Sequence, residues 1–170
     1  ADDASASSVD EPSLVMSAAM FNDGKVSGYY FDRKKWMAVD PEENQEGSAE
    51  RTFPYPTGIY HVTLQAIGEN DGASRYTVYV DGEIIGQSVC PLAEKTYEGG
   101  PKYHQTWKNV SITEGAIIGV ASKVASNDGE EFSRARWSQV TFEPADDTTR
   151  DAAKPYVEEQ ATVSSSKVET

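Results

Sequence analysis

The stretch GENDGASR, residues 68–75, carries Glu69, Asn70, Asp71 and Arg75, all polar or charged and all in a turn-rich setting. TYEGGPKYHQTW, 96–107, adds Tyr97, Glu98, Lys102, Tyr103, His104 and Trp107. NDGEEFSRARW, 127–137, adds Asn127, Asp128, Glu131, Phe132, Arg134, Arg136 and Trp137. Acid, amide, cation and aromatic ring together are what a saccharide needs. A pyranose offers a flat C–H patch that packs on an aromatic face and a rim of hydroxyls that fixed polar groups can read. The predicted ligand-binding set is therefore Glu69, Asn70, Asp71, Arg75, Lys102, Tyr103, His104, Trp107, Asp128, Arg134, Arg136 and Trp137, meeting at one end of the fold.

Each of these residues has a competing reading. Trp107 and Trp137 fit a sandwich core equally well. Arg134 and Arg136 could pair with Glu69, Asp71, Glu130 or Glu131 as ion pairs that only hold loops together. Asp71-Gly72 and Asn127-Asp128-Gly129 are turn formers before anything else. Tyr103, His104, Gln105, Arg134 and Arg136, with His61, are also the residue types of a polysaccharide lyase, in which Tyr and His exchange protons while Arg neutralises a uronate. The chain carries no nucleophile elbow, zinc-protease helix motif, phosphate loop or dinucleotide fingerprint.

These stretches lie between strands. IYHVTLQAI, 59–67, puts Tyr60, Val62, Leu64 and Ala66 on one face. SRYTVYVDGEIIGQSV puts Tyr76, Val78 and Val80 inward and turns at Asp81-Gly82, the strongest short hairpin signal in the chain. In WSQVTF, 137–142, strict alternation sets Ser138, Val140 and Phe142 against Trp137, Gln139 and Thr141. Further strands are expected over 13–20, 25–31, 34–39, 49–53, 104–112 and 116–124, with Gly, Pro, Asn and Asp clusters between them and no helix. Eight to ten short strands with one apolar face each predict an all-β, two-sheet antiparallel sandwich.

Of the 170 residues, 1–12 and 145–170 are rich in Ser, Thr, Ala, Asp and Glu, and read as linkers flanking one domain at 13–144. The formal charge of −13 argues against nucleic acid, which is bound by neutralising phosphates, and against anionic membrane surfaces. No stretch approaches the roughly 20 apolar residues of a membrane span. The single cysteine, Cys90, excludes an intrachain disulfide and reads as a small buried apolar residue.

The order GENDGASRYTVYVDGEIIG, YHQTWKNVSITEGAIIGV, SRARWSQVTFEP resembles the β-jelly-roll, galactose-binding-like carbohydrate-binding modules, close to families 6 and 35, over residues 13–144. That resemblance implies a non-catalytic module appended to a secreted polysaccharide-degrading enzyme, with a marine algal galactan such as agarose as the first ligand to consider. It also implies a structural calcium. The terminal segments that should supply acids to calcium read SLVMSAAM and WSQVTFEP, leaving NDG (22–24), DPEEN (40–44) and NDGEE (127–131) as oxygen donors, with turn chemistry as the alternative. A surface adhesion sandwich would have a similar sequence, marked by an exposed apolar patch instead of a polar cleft.

Overall fold

The computed structural model describes residues 13–94 and 102–169, with side chains described to residue 160. The N-terminal linker expected at 1–12, and Tyr97 and Glu98, lie outside the described residues. Among the described residues, eleven strands form the body: β1 (Leu14–Ser17), β2 (Lys25–Ser27), β3 (Tyr30–Asp32), β4 (Trp36–Ala38), β5 (Glu46–Thr52), β6 (Gly58–Ile67), β7 (Arg75–Val80), β8 (Glu83–Val89), β9 (Lys102–Ile112), β10 (Ile117–Lys123) and β11 (Trp137–Pro144). Two helices accompany them, α1 (Ala18–Asn22) and α2 (Asp147–Glu169).

One sheet runs β3-β4-β11-β6-β9, with β1 also paired to β11; the other runs β2-β5-β10-β7-β8. All pairings are antiparallel, and the two sheets form the expected jelly-roll sandwich. The alternation read from β6 and β7 is the one observed. Tyr60, Val62, Leu64, Tyr76 and Val78 are buried, and with Met16, Phe21, Phe53, Ile118, Trp137, Val140 and Phe142 they fill the space between the sheets. Asp81 and Gly82 sit at φ 51° and 83°, the left-handed pair that a two-residue hairpin requires.

Three local expectations change. Residues 18–22 leave the first strand as a helical turn, started by Ser17, whose hydroxyl accepts the Met20 amide, so Ala18 and Phe21 reach the core. Residues 25–31 make two strands, because the chain at Gly28 (φ 78°) crosses from one sheet to the other. A register shift between Trp137 and Gln139 breaks the alternation of β11, and Trp137 turns inward alongside Val140 and Phe142.

The segment expected as a linker, 145–170, carries α2, and its described contacts with the sandwich lie at 146–160. α2 docks on the sandwich: Ala153 is buried, Tyr156 and Val157 pack on the core, and Tyr156 meets Tyr55 edge-on at 5.9 Å. Gln160 accepts the Val15 amide and donates to the Ser13 carbonyl. At its start, Asp146 caps the Thr149 amide, and the Thr149 hydroxyl accepts the Ile59 amide of β6. The strand directions place α2 at one pole, with the 68–74, 39–45 and 124–136 connections at the other.

Candidate functional site

The connection between β10 and β11 carries both arginines into the pole opposite α2, and Ala135 between them decides their fates. Ala135 is fully buried at φ 49°, a left-handed conformation uncommon for a residue with a Cβ, and its neighbours point apart. Arg136 turns inward and is 5% exposed. Its Nε donates to Asp32 Oδ2 and its Nη1 to Glu69 Oε1, both at 2.8 Å. Glu69, equally buried, also accepts the amides of Arg134 and Arg136. Burial pushes the Glu69 carboxyl above its usual range, opposed by the attraction of Arg136 and these amides. Tyr76 seals the knot by donating to the Arg136 carbonyl at 2.7 Å. Arg136 and Glu69 are thus committed to each other, as the ion-pair reading held, and are not available to a ligand.

Arg134 turns outward. Its Nη1 donates to the Tyr30 hydroxyl at 2.8 Å, its guanidinium lies 5.8 Å from the centre of that ring, and Asp40 Oδ1 is 4.0 Å away. Its main chain is fixed on both sides, by the amide on Glu69 and by the carbonyl accepting the Val39 amide. Arg134, Tyr30, Tyr29, Gly28, Asp40, Glu43 and Asn44 line an open pocket of about 230 Å³ at this pole. Beneath it the Tyr29 hydroxyl accepts the Trp137 indole N–H at 3.1 Å and meets Ser122 Oγ at 2.6 Å; burial pushes this phenol above its ordinary value. The pocket floor is thus hydrogen-bonded into the core, and Arg134 is offered with a phenol, a carboxylate and an amide around it.

Of the other predicted residues, Asn70 is exposed and Asp71 accepts the Asn127 amide through its carbonyl, so the 68–75 and 127–137 stretches do meet. Trp137 is core, edge-on to Phe21 at 5.2 Å. Trp107 points between the sheets against Gly86 of β8, where any Cβ would collide with its indole. Tyr103 also faces inward and donates to Gln105, whereas His104 faces outward and meets Gln65 Oε1 at 2.9 Å. Alternation along β9 thus separates Tyr103 from His104, and with Arg136 buried the lyase set is dispersed. Lys102 is exposed on the six-stranded sheet and Arg75 on the five-stranded sheet, both away from the rim pocket. Tyr30, Asp40, Glu43 and Asn44 were missed. YYF read as a plain strand and DPEEN as metal donors, and no local pattern brings them beside a loop about 90 residues later.

Asp128 Oδ1 accepts the amides of Glu130 and Glu131, and those bonds hold its carboxyl below the usual range. Asp40 accepts the Glu42 amide in the same way. Both acidic turns are self-satisfied, and among the described residues no group of three or more acids, histidines or cysteines is placed to hold a metal. Among the described residues, the carboxylates of these two turns do not converge as the calcium implied by the family resemblance would require.

A second concavity lies on the outer face of the five-stranded sheet. Cross-strand rows run Glu46–Lys123–Arg75, Ser48–Ala121–Thr77–Gln87 and Glu50–Gly119–Tyr79. The small residues of β10 make a trough between taller neighbours, about 480 Å³ at its larger end.

No protein-family model matches this chain. It is 33% identical over 118 residues to an uncharacterised protein of Formosa agariphila, a match covering 69% of this chain; the chain spans 28% of the length of that relative. Among solved structures it resembles a family 35 carbohydrate binding module from Clostridium thermocellum (TM-score 0.53, 11% identity, 78% of this chain and 98% of that one). It also resembles the C-terminal family 6 module of a marine laminarinase from Zobellia galactanivorans (TM-score 0.52, 10% identity, 77% and 98%). The fold of this chain is that of the β-jelly-roll carbohydrate-binding modules, with families 6 and 35 among its structural neighbours.

Proposed function

We propose that this chain is a non-catalytic carbohydrate-binding module whose saccharide sits in the rim pocket of Tyr30, Asp40, Asn44 and Arg134. The observation that carries the reading is the pinned, outward Arg134 guanidinium between a phenol and a carboxylate, on a fold shared with carbohydrate-binding modules. Arg134 donates to ring or hydroxyl oxygens, Asp40 and Asn44 read hydroxyl orientation, and the Tyr30 ring offers the apolar contact. The module belongs to a secreted, multimodular protein and holds a polysaccharide-degrading partner against its glycan, with an algal galactan such as agarose first on the panel.

Affinity electrophoresis across soluble glycans, followed by calorimetry, tests this. Arg134→Ala should weaken binding at least tenfold while leaving the thermal midpoint nearly unchanged, as expected for a half-exposed side chain. Binding that survives the substitution, or product release from any glycan, ends the proposal in this form.

The trough favours a second reading of the same function, in which the interior of a glycan chain lies across the five-stranded sheet with Tyr79 as platform and Thr77 and Gln87 as hydrogen-bonding groups. Tyr79→Ala and Arg134→Ala, compared on the same glycan, separate the two locations.

A further inference from the structure

Away from the rim pocket and the trough, the outer face of the six-stranded sheet carries a third concavity of about 180 Å³. Four adjacent strands build it: Lys35 and Trp36 at the start of β4, Ser138 on β11, Gln65, Ala66 and Ile67 on β6, and Lys102 on β9. In a chain of formal charge −13, its lining among the described residues contains two ammonium groups and no carboxylate. The acid facing Trp36 across the β3–β4 ladder, Asp32, is already taken by Arg136 at 2.8 Å.

The neutral groups are held in place. Gln65 donates from Nε2 to Ser138 Oγ at 2.8 Å and meets His104 Nε2 through Oε1 at 2.9 Å. Lys35 Nζ lies 4.9 Å from the Trp36 ring centre, which keeps one ammonium at the mouth of the concavity. Positive charge at both ends, fixed polar groups between them and an indole wall suit an anionic substituent on a ring that also carries hydroxyls.

We propose that this concavity binds the anionic group, a sulfate ester or a carboxylate, of a charged saccharide, with Lys35 and Lys102 as the charge partners and Gln65, Ser138 and Trp36 contacting the sugar. Only the saccharide carrier rests on the function proposed above; recognition of the anion stands on these residues alone. The net negative charge does not forbid it, because screening over about 8 Å at physiological salt lets a local cation pair act by itself.

The test uses the whole chain and three probes of similar length: a sulfated κ-carrageenan oligosaccharide, an oligogalacturonate and a neutral agarose oligosaccharide. Calorimetry is run at low and raised salt on the native chain, on Lys35→Gln/Lys102→Gln and on Arg134→Ala. At least one charged probe should bind with an affinity that falls as salt rises, and the double lysine substitution should weaken it about tenfold or more and flatten the salt dependence. Any binding of the agarose probe should be unaffected by that substitution. The sulfated and uronate arms identify which anion is preferred. The proposal is overturned if neither charged probe binds, if the lysine substitutions leave affinity and salt dependence unchanged, or if inorganic sulfate competes as well as the saccharide does. Loss of charged binding in Arg134→Ala alone would instead assign that binding to the rim. Both lysines are exposed, so their replacement should leave the thermal midpoint in place.

Discussion

Two arginines separated by a single residue stand in opposite surroundings, Arg136 buried and Arg134 at the rim, and their substitutions should differ accordingly. Replacing Arg136 by Ala removes the cation shared by the buried Glu69 and the mostly buried Asp32. Breaking a buried pair in this way destabilises by about 3–5 kcal/mol, and urea unfolding should show a loss of that order. A stability equal to the native chain's would contradict the buried network. Reading the sequence as a saccharide site predicted ligand contact for both arginines. The residue types and the meeting of their loops were legible, but the left-handed turn at Ala135 that sorts them was not, because nothing in SRARW marks a non-glycine residue for positive φ. Cys90 was legible: it is buried, and burial pushes its thiol up to about 11. Alkylation by iodoacetamide at pH 8 should therefore be slow in the folded chain and fast in urea, since the thiolate is the reactive form. Rapid modification without denaturant would show that the site opens.

At the scale of elements, β6, β7 and the Asp81-Gly82 turn could be read directly, because Tyr60, Val62, Leu64, Tyr76 and Val78 keep every second side chain buried even though pairing shifts register beside Tyr60/Val62 and Val78/Tyr79. Short or interrupted elements could not. The bulge at Ser138 inverted the reading of Trp137, and α2 was hidden by composition. Among the described residues its contacts with the sandwich are Thr149, Ala153, Tyr156, Val157 and Gln160, a helical stripe with three apolar side chains, in a helix that contains Pro155. The stripe is a legible period, but too weakly apolar to stand out without the aromatic surface of Tyr55 beneath it. The helix cap gives a pH prediction. Hydrogen bonds from the Thr149 hydroxyl and amide hold the Asp146 carboxyl below its usual value. As pH falls, the unfolded chain therefore takes up this proton first. The cap's contribution is full above the unfolded pKa of about 3.9 and is lost as pH falls through the lower folded value. The stability difference between native chain and Asp146→Ala, measured by urea unfolding, should be constant from pH 7 to about 5 and shrink toward pH 3. A difference that grows on acidification would mean the carboxylate is not the cap.

For the whole molecule, the all-β sandwich was legible because nearly every candidate strand has an apolar face and a turn former at its end. The pairing order was not, since partners such as β6 and β11 lie far apart in sequence. Of the three stretches expected to share one rim, 68–75 and 127–137 meet, the described part of 96–107 runs along β9, and the residues that line the rim pocket come mostly from segments read for other roles. Chain-end and mid-chain binding separate at this scale. If the rim pocket holds the glycan, Arg134→Ala should weaken affinity about tenfold and Tyr79→Ala leave it within about twofold, and the trough reading reverses the two. Calorimetry on one oligosaccharide decides, and an unchanged affinity in both variants would remove both locations. The docking of α2 at the far pole has a further consequence. Substitutions more than about 10 Å apart with no shared partner combine additively. If the rim pocket is the binding site, its specificity is open to retuning at the lining residues Tyr30, Asp40 and Asn44, as one swaps the bit of a drill, with the buried Glu69–Arg136 pair and the docked helix as an unaltered handle.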